Sequence, residues 1–160
     1  MASHYRRPGW FTKYVFNGLV NAATRMGLSV VGSRVLEVRG RKTGQPRRVP
    51  VNLLEVSGER FLVAPRGETE WVRNVRAAGG NLALILGRKR EEMTATEVTG
   101  DDKTWIIRAY LKKWKAEVGV FFGGVGPDST DAELATEAEK HPVFRLAPAQ
   151  ADGTTSAHAG

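Results

Sequence analysis

The chain has 160 residues, no cysteine and a formal net charge of +7, and 41% of its residues are hydrophobic. This length predicts one domain with a buried core, and the lack of cysteine excludes disulfides, thiolate metal ligands and a cysteine nucleophile. No apolar run approaches the roughly 20 residues of a membrane-spanning helix, and the N-terminus lacks the apolar segment of a signal peptide, so we expect a cytoplasmic protein.

The positive charge is concentrated in the first part of the chain. Residues 1–50 contain ten Lys or Arg and one acid, whereas residues 91–160 contain seven Lys or Arg and twelve acids. This asymmetry predicts a localised positive surface. Its partner could be a phosphate, a carboxylate, a nucleic acid or an anionic membrane, and charge alone does not choose among them.

The first predicted element is an amphipathic helix over residues 10–28, where apolar residues recur at helical spacing. We therefore divide the chain into an N-terminal helical segment over residues 1–30, a main domain over 31–149 and a disordered tail over 150–160. The tail is small and polar, a composition that does not support a packed core.

The N-terminal segment also carries Arg6, Arg7, Trp10 and Lys13. Cations and an indole beside an amphipathic helix are compatible with peripheral contact with an anionic bilayer surface. Packing of this helix over the main domain is the alternative.

Six strands and two further helices are predicted in the main domain. The strands cover residues 35–39, 47–56, 60–64, 82–87, 92–98 and 143–146, one helix follows Thr69 and ends at Gly79, and a longer helix follows Asp101 or Asp102. Pro50 cannot donate to a strand ladder, so its strand is an edge or is bulged there. Short antiparallel strands with tight turns favour a mainly β (α+β) fold built as a small barrel.

The stretch "GRKTGQPRRVPV", residues 40–51, places Arg41, Lys42, Arg47 and Arg48 at the tip of a predicted hairpin. A four-residue loop would put Lys42 opposite Arg47 and Arg41 opposite Arg48. Like charges directly opposite each other destabilise a strand pair. A bound anion would offset this repulsion, so the sequence predicts an anion-binding site at the hairpin tip.

A second stretch, "VAPRGETEWVRNVRAAGG", covers residues 63–80. A strand ends at Ala64, a turn follows, and the start of the next helix together with Arg66 suits an anion. Trp71 and Asn74 share one helix face that could hold a flat heteroaromatic ring. Alternatively, Trp71 is a core anchor and Asn74 hydrogen-bonds a neighbouring loop.

Only one side chain of the sequence is a candidate for acid–base catalysis. His141 is the one histidine outside the predicted termini, and its setting "KHPVFRL" predicts a positioned or partly buried residue at the entry to the last strand. The sequence has no H-E-x-x-H or G-x-S-x-G motif and no acidic cluster with metal-ligand spacing. If the protein is an enzyme, a cofactor should carry the reactive atom.

Together, the two stretches resemble the deazaflavin-dependent nitroreductase family, within the split β-barrel flavin and deazaflavin oxidoreductase superfamily. The resemblance covers about residues 32–98, and "HPVFRL" near the C-terminus is also similar. It implies a split β-barrel of about six antiparallel strands with an N-terminal helix and two further helices. It also implies coenzyme F420, an 8-hydroxy-5-deazaflavin, as the cofactor, with FMN as the alternative.

The resemblance implies that Lys42 and Arg47 meet the phosphate or carboxylate tail of this cofactor, with Arg41 and Arg48 reinforcing the positive field. The other cofactor-binding residues that it implies are Ala64, Pro65, Arg66, Gly67, Trp71 and Asn74. The apolar wall for a substrate would come from Trp71, Phe121 and Phe122. No residue is assigned as catalytic, and no metal is expected.

We therefore expect a reductase that passes a hydride from reduced F420 to a small electron-poor acceptor: a quinone, an activated alkene such as an enone, or a nitroaromatic. The alternatives are a fatty-acid or lipid-binding protein on the same fold and a basic nucleic-acid-binding barrel. No strand interleaves basic and aromatic residues, so we expect no nucleic-acid partner. The oligomeric state is left open, because split barrels pair through exposed edges or stay monomeric when a helix covers them.

Overall fold

The computed structural model describes residues 32–149. In this part, seven antiparallel strands form one sheet, accompanied by three α-helices. The strands are β1 (Ser33–Arg39), β2 (Pro46–Asn52), β3 (Leu54–Val56), β4 (Glu59–Val63), β5 (Asn81–Leu86), β6 (Lys89–Glu97) and β7 (Val143–Pro148). The helices are α1 (Glu70–Ala77), α2 (Asp102–Val118) and α3 (Asp131–Ala138), with a short 3₁₀ turn at Gly119–Phe121. The predicted helix at 10–28, its membrane contact and the tail lie outside the described residues.

The sheet is curled, because its two edges are consecutive in the chain. The strand order is β2-β1-β5-β6-β7-β4-β3, so β2 and β3 lie at opposite edges. Only Leu53 separates them in sequence, whereas a flat sheet of this width would hold them roughly 29 Å apart at about 4.8 Å per strand. The sheet must therefore curve until its edges meet, which confirms the predicted split β-barrel.

The predicted strand over 47–56 is two strands. Leu53 is buried and donates its N–H to the Gly32 carbonyl at 2.9 Å, outside either ladder. Before it the chain pairs with β1, and after it the chain pairs with β4. The apolar pattern continues through this point, so the sequence does not show the change of partner. The prediction that Pro50 lies in an edge strand is confirmed.

Two tight turns were predicted, and both are present. Ser57 and Gly58 adopt φ values of 55° and 76°, the left-handed geometry of a two-residue hairpin turn. In the next hairpin Leu86 pairs with Lys89, so β6 begins three residues before the predicted start at residue 92. In the sequence, residues 89–91 resemble a loop because they are all charged. The structure shows that this end of β6 is largely exposed on both faces.

The core consists of two clusters that share β4. Phe61 and Val63 belong to the cluster that packs α2 and α3, whereas Leu62 and Ala64 belong to the cluster that includes α1. Successive strand residues point to opposite faces, which explains why neighbouring positions enter different clusters. The strand therefore ends between α1 and α2, and its last residues lie close to both helices.

The third helix was not predicted. Its N-cap Thr130 accepts a hydrogen bond from the Glu133 N–H at 3.1 Å, and the Glu133 carboxylate accepts one from the Thr130 N–H at 2.9 Å. This reciprocal pair is a capping box, whose T-x-x-E signature is present in the sequence.

Within residues 32–149, no helix combines the length and apolarity needed to cross a bilayer.

Candidate functional site

A cleft of about 650 Å³ opens beside the edge strand β2. Its walls come from β2, the end of β4 with the following loop, α1 and the middle of α2. The lining residues are Val38, Lys42, Arg47, Arg48, Val49, Pro50, Val51, Asn52, Val63, Pro65, Arg66, Thr69, Glu70, Trp71, Asn74 and Tyr110. Its volume is within the range of about 300–1,000 Å³ that is typical of small-molecule sites.

The hairpin that borders this cleft has a different register from the predicted one. Arg47 pairs with Val38 and Arg48 pairs with Glu37, so the predicted opposition of like charges is wrong. The reason is a wider loop over residues 40–45, in which the Gly40 N–H donates to the Gln45 carbonyl at 2.8 Å. This loop removes Arg41 and Lys42 from the ladder altogether.

The neighbouring residues Arg47 and Arg48 differ in how their charge is compensated. The Arg48 Nε donates to the Glu37 carboxylate at 2.9 Å, and Arg90 contacts the same carboxylate at 2.7 Å. Hydrogen bonds from Arg90 and then Arg48 hold the pKa of Glu37 below its ordinary value. Neither Lys42 nor Arg47 forms an ion pair with any acid in residues 32–149. Uncompensated positive charge is therefore concentrated at the hairpin end of the cleft.

A glycine lets the Arg47 side chain fold back over the loop. A Cβ atom at Gly40 would lie only 3.1 Å from both Cγ and Nε of Arg47. Such a contact is tighter than side chains normally accept, so a larger residue would displace this guanidinium. The small residue at the first position of "GRKTG" thus helps to hold one of the unpaired cations beside the cleft.

Arg41 joins the hairpin to α1 and does not line the cleft. Its backbone N–H and its guanidinium donate to the Asn74 Oδ1 at 3.0 and 2.9 Å, and the guanidinium also contacts the Glu70 carboxylate at 2.8 Å. The Arg41 hydrogen bond lowers the pKa of Glu70. Because arginine offers only donors, the Asn74 oxygen must face it, which leaves the Asn74 NH2 group for the cleft.

Trp71 both lines the cleft and packs on the core. Its ring lies 5.9 Å from that of Phe144, between centroids, at an interplanar angle of 53°. One side of the indole is therefore anchored, and the residue still contributes to the cleft wall. Two roles were considered for Trp71: a core anchor and one wall of a ring site. The two roles are compatible in this structure.

The loop after β4 contributes Pro65 and Arg66 to the cleft, whereas Ala64 and Gly67 maintain the shape of the loop. Ala64 is buried, and its carbonyl accepts the Gly67 N–H at 3.1 Å. Gly67 has a φ of +84° and lies against the Lys140 carbonyl. The Thr69 N–H is bonded to the Gly67 carbonyl, so neither of these two N–H groups is available to an anion.

His141 supports this loop from behind and does not line the cleft. Its Nδ1 lies 3.0 Å from the Ala64 carbonyl, its Nε2 lies 2.8 Å from a Glu137 carboxylate oxygen, and its ring stacks on Phe122 at 4.0 Å. Both ring nitrogens therefore have a partner within hydrogen-bond distance, the Ala64 carbonyl on one side and the Glu137 carboxylate on the other. The prediction of a positioned or partly buried histidine is confirmed, and the burial is nearly complete.

Glu137 is the partner of the buried His141 Nε2 atom. Burial raises the pKa of its carboxyl group, but hydrogen bonds from His141 and Lys140 outweigh burial and leave that pKa below its ordinary value. Glu137 therefore remains ionised inside the protein and holds α3 to the strand that leads into the cleft.

The two phenylalanines named for the substrate wall are placed elsewhere. Phe122 is fully buried among core residues of α2 and α3. Phe121 is partly buried, and its ring centroid lies 5.5 Å from the Arg66 guanidinium carbon. Neither lines the cleft, although Phe121 supports a cation that does.

Three polar residues of the cleft, Asn52, Thr69 and Tyr110, were missed by the sequence analysis. Thr69 is the N-cap of α1, but its hydroxyl makes no capping hydrogen bond. Burial raises the pKa of the Tyr110 hydroxyl, and the adjacent Asn52 amide offsets part of this effect without forming a hydrogen bond of ordinary geometry. The sequence signal that could have revealed these residues was Asn52, a polar residue directly after the apolar run at 49–51.

The curled sheet defines a split β-barrel, and its cation-lined cleft has the size of a small-molecule site. The model of the F420H2-dependent quinone reductase family matches residues 15–126 of this chain. The chain therefore belongs to this family of F420-dependent reductases. The match confirms the family resemblance of the hairpin and α1 motifs, and coenzyme F420 is the cofactor by which the family is named.

Several solved structures are similar to this chain at low sequence identity. The F420-H2 dependent reductase FDR-A is 21% identical over 72% of this chain and 94% of its own, with a TM-score of 0.49. A domain-swapped dimer is 20% identical over 85% and 98%, with a TM-score of 0.50. A protein of unknown function from Agrobacterium tumefaciens str. C58 is 15% identical over 83% and 54%, with a TM-score of 0.53. No curated protein sequence matches the chain significantly.

Proposed function

We propose that this chain binds reduced F420 in the cleft and catalyses hydride transfer to a quinone. The observation that carries the proposal is the pair of uncompensated cations, Lys42 and Arg47, at the mouth of a cleft with largely apolar walls. Membership of the F420H2-dependent quinone reductase family supports the cofactor and the class of acceptor.

The charges of the site fit the cofactor. F420 carries a phosphate and a tail of glutamyl carboxylates, so it is a polyanion. Lys42, Arg47 and Arg66 each present a positive charge to the cleft that no acid within residues 32–149 neutralises by an ion pair. Hydrogen bonds between ionised partners are stronger than neutral ones, so these side chains would bind the phosphate and carboxylates.

The walls of the cleft fit a flat ring. Trp71, Val49, Val63 and Pro65 contribute apolar surface, and Asn74 contributes an amide edge. Such walls would orient the ring and keep water from the reacting atoms, and correct positioning alone can supply several kcal/mol to a bimolecular reaction. When bound, reduced F420 supplies the hydride from C5 of its ring.

Side-chain acid–base chemistry has a minor role in this proposal. Both ring nitrogens of His141 are already occupied by Ala64 and Glu137, and the residue is buried behind the loop. Burial raises the pKa of Tyr110, so its hydroxyl does not ionise readily. A quinone becomes a quinol by taking up one hydride and one proton, and water at the open side of the cleft would supply the proton.

Other electron-poor acceptors are candidates for the same site. Activated alkenes and nitroaromatics also accept a hydride from a reduced deazaflavin, and an apolar cleft does not distinguish among these planar molecules. Quinones are the first choice because the family is named for them.

The proposal is tested by titration followed by turnover. Purified protein would be titrated with F420, FMN and a long-chain fatty acid, using ring fluorescence or competition as the measurement. We expect F420 to bind most tightly. Reduced F420 would then be mixed with menadione, and recovery of the oxidised deazaflavin's visible absorbance would report turnover. Tight fatty-acid binding without F420 binding would replace the proposal with lipid binding.

Hydride transfer itself is tested by isotope labelling. F420 carrying deuterium at C5 should pass the label to cyclohexenone, because an enone retains the transferred hydrogen on carbon. Enone reduction without label in the product would exclude direct hydride delivery.

A further inference from the structure

Four buried polar side-chain atoms of residues that line the cleft lack a hydrogen bond of ordinary geometry. Both amide atoms of Asn52, the Tyr110 hydroxyl and the Thr69 hydroxyl are buried and form no hydrogen bond within the described part of the chain. Asn52 is 2% exposed and Tyr110 is fully buried. All three residues nevertheless line the cleft, so a bound molecule can reach them.

Such a cluster is unusual for a folded protein. The large majority of buried polar side-chain atoms have a hydrogen-bond partner, and each exception requires an explanation. Here three elements contribute such groups to one cleft: the end of β2, the N-cap of α1 and the middle of α2. An accidental packing defect would leave one group unpaired, whereas four atoms on three elements suggest a binding subsite.

The donors and acceptors of the cluster restrict the chemistry of the ligand. Asn52 offers both an NH2 donor and a carbonyl acceptor, and the hydroxyls of Thr69 and Tyr110 can donate. Burial raises the pKa of Tyr110, so its hydroxyl keeps its proton. The complementary ligand group is a planar edge with a carbonyl oxygen beside an N–H or O–H group.

Asn52 lies at the opposite end of β2 from the cation Arg47. Arg47 and Asn52 both line the cleft and are five positions apart, which corresponds to about 17 Å along a strand. A ligand that fills the cleft would therefore place its anionic part at the hairpin and its hydrogen-bonding ring edge near Asn52. The two ends of one strand would recognise two parts of one molecule.

We infer that Asn52, Tyr110 and Thr69 form a hydrogen-bonding subsite for a planar ring edge that carries a carbonyl beside an N–H or O–H group. This inference rests on the proposed function. The pyrimidinedione edge of the deazaflavin has this chemistry, whereas a quinol carries hydroxyls but no carbonyl. A quinone has only acceptors and would leave the Asn52 carbonyl unpaired, so the donor and acceptor pattern favours the cofactor.

The test uses variants that remove the polar atoms but keep the shape: Asn52→Leu, Tyr110→Phe and Thr69→Val. We expect each to weaken F420 binding by roughly three- to tenfold in a fluorescence titration. Asn81→Leu and Thr96→Val are matched controls, because both residues are exposed and line no part of this cleft. The controls should bind F420 like the unaltered protein.

A second measurement separates a ligand subsite from a structural role. In the ligand-free protein the unpaired groups are buried without compensation, so Asn52→Leu and Tyr110→Phe should raise the melting temperature, by about 2–4 °C. A structural role would lower it. The combination of higher stability and weaker binding is the expected signature.

The source of the ring edge is identified by comparing F420 affinity with the KM for menadione. Weaker F420 binding with an unchanged KM assigns the subsite to the cofactor, and the reverse result assigns it to the acceptor. Unchanged F420 affinity and unchanged KM in all three variants would overturn the inference while leaving the proposed function intact. If the unaltered protein binds no F420, the proposed function fails, and this inference fails with it.

Discussion

Two buried polar clusters lie on either side of the loop after β4, and they differ in how completely they are hydrogen-bonded. Behind the loop, both ring nitrogens of His141 are occupied, one by the Ala64 carbonyl and one by Glu137. In front of it, the polar atoms of Asn52 and the Tyr110 hydroxyl have no partner within residues 32–149. Both clusters are shielded from solvent to a similar degree.

The difference separates a structural role from a ligand-binding role. A buried polar group that is fully paired stabilises the fold, whereas an unpaired one costs stability unless a ligand completes it. The same contrast holds at the surface for adjacent residues, since Arg48 is paired with Glu37 while Arg47 has no acidic partner in the described chain. Pairing therefore indicates which polar residues hold the fold and which are available for a ligand.

The largest expected effect comes from breaking the fully paired cluster. Glu137→Ala should lower the free energy of unfolding by about 3 kcal/mol, because it leaves the buried Nε2 of His141 without its hydrogen-bond partner. Urea denaturation would measure the change. Glu139→Ala is the matched control, because Glu139 is exposed at the end of the same helix. Equal stability of the two variants would show that the Glu137 pair does not hold the fold.

The next effect concerns the unpaired cations. Lys42→Ala and Arg47→Ala should each weaken F420 binding by roughly tenfold or more, corresponding to about 1.5–3 kcal/mol for a charge-assisted contact, with little change in stability. Added salt should weaken binding to the unaltered protein, because the contacts are ionic and partly exposed. Arg88→Ala, an equal charge change in the β5–β6 turn, is the control. Unchanged affinity in both hairpin variants would remove the hairpin from the site.

The pH dependence of stability offers a smaller test of the Glu137 pair. The folded-state pKa of Glu137 lies below its ordinary value of 4.5, so the unfolded chain binds more protons between these two pKa values. The contribution of the ionised carboxylate is therefore complete above the ordinary pKa and is lost as pH falls through the lowered one. The stability difference between the unaltered protein and Glu137→Ala should shrink on acidification, as measured by urea midpoints. A difference that stays constant with pH would contradict this explanation.

The smallest effect is expected for the paired cation. Arg48→Ala should weaken F420 binding by no more than about fivefold, because the Arg48 charge is already matched by Glu37 and partly exposed pairs contribute little. The comparison with Arg47→Ala uses adjacent residues of the same type in the same strand. A larger loss for Arg48→Ala than for Arg47→Ala would contradict the rule that unpaired groups bind the ligand.

The sequence predicted much of this site but not its hydrogen bonding. The hairpin motif and the α1 motif identified Lys42, Arg47, Arg66 and Trp71, all of which line one cleft. Arg41 was predicted with them, yet it is committed to Asn74 and Glu70. A basic residue has the same appearance in a sequence whether or not an acid lies within reach, so the sequence alone could not separate the paired cations from the unpaired ones.

By itself, the sequence determined the asymmetry of charge, the kinds of local structure and the family, because these depend on composition, short periodicities and contiguous motifs. Only the tertiary structure decided where β2 ends and β3 begins, since Leu53 continues the apolar pattern while the chain exchanges β1 for β4 as its partner. It alone also brought Asn52 and Tyr110 to one cleft. Contacts between residues so distant in the chain follow from the curvature of the sheet and the packing of α2, and no local pattern records either of them.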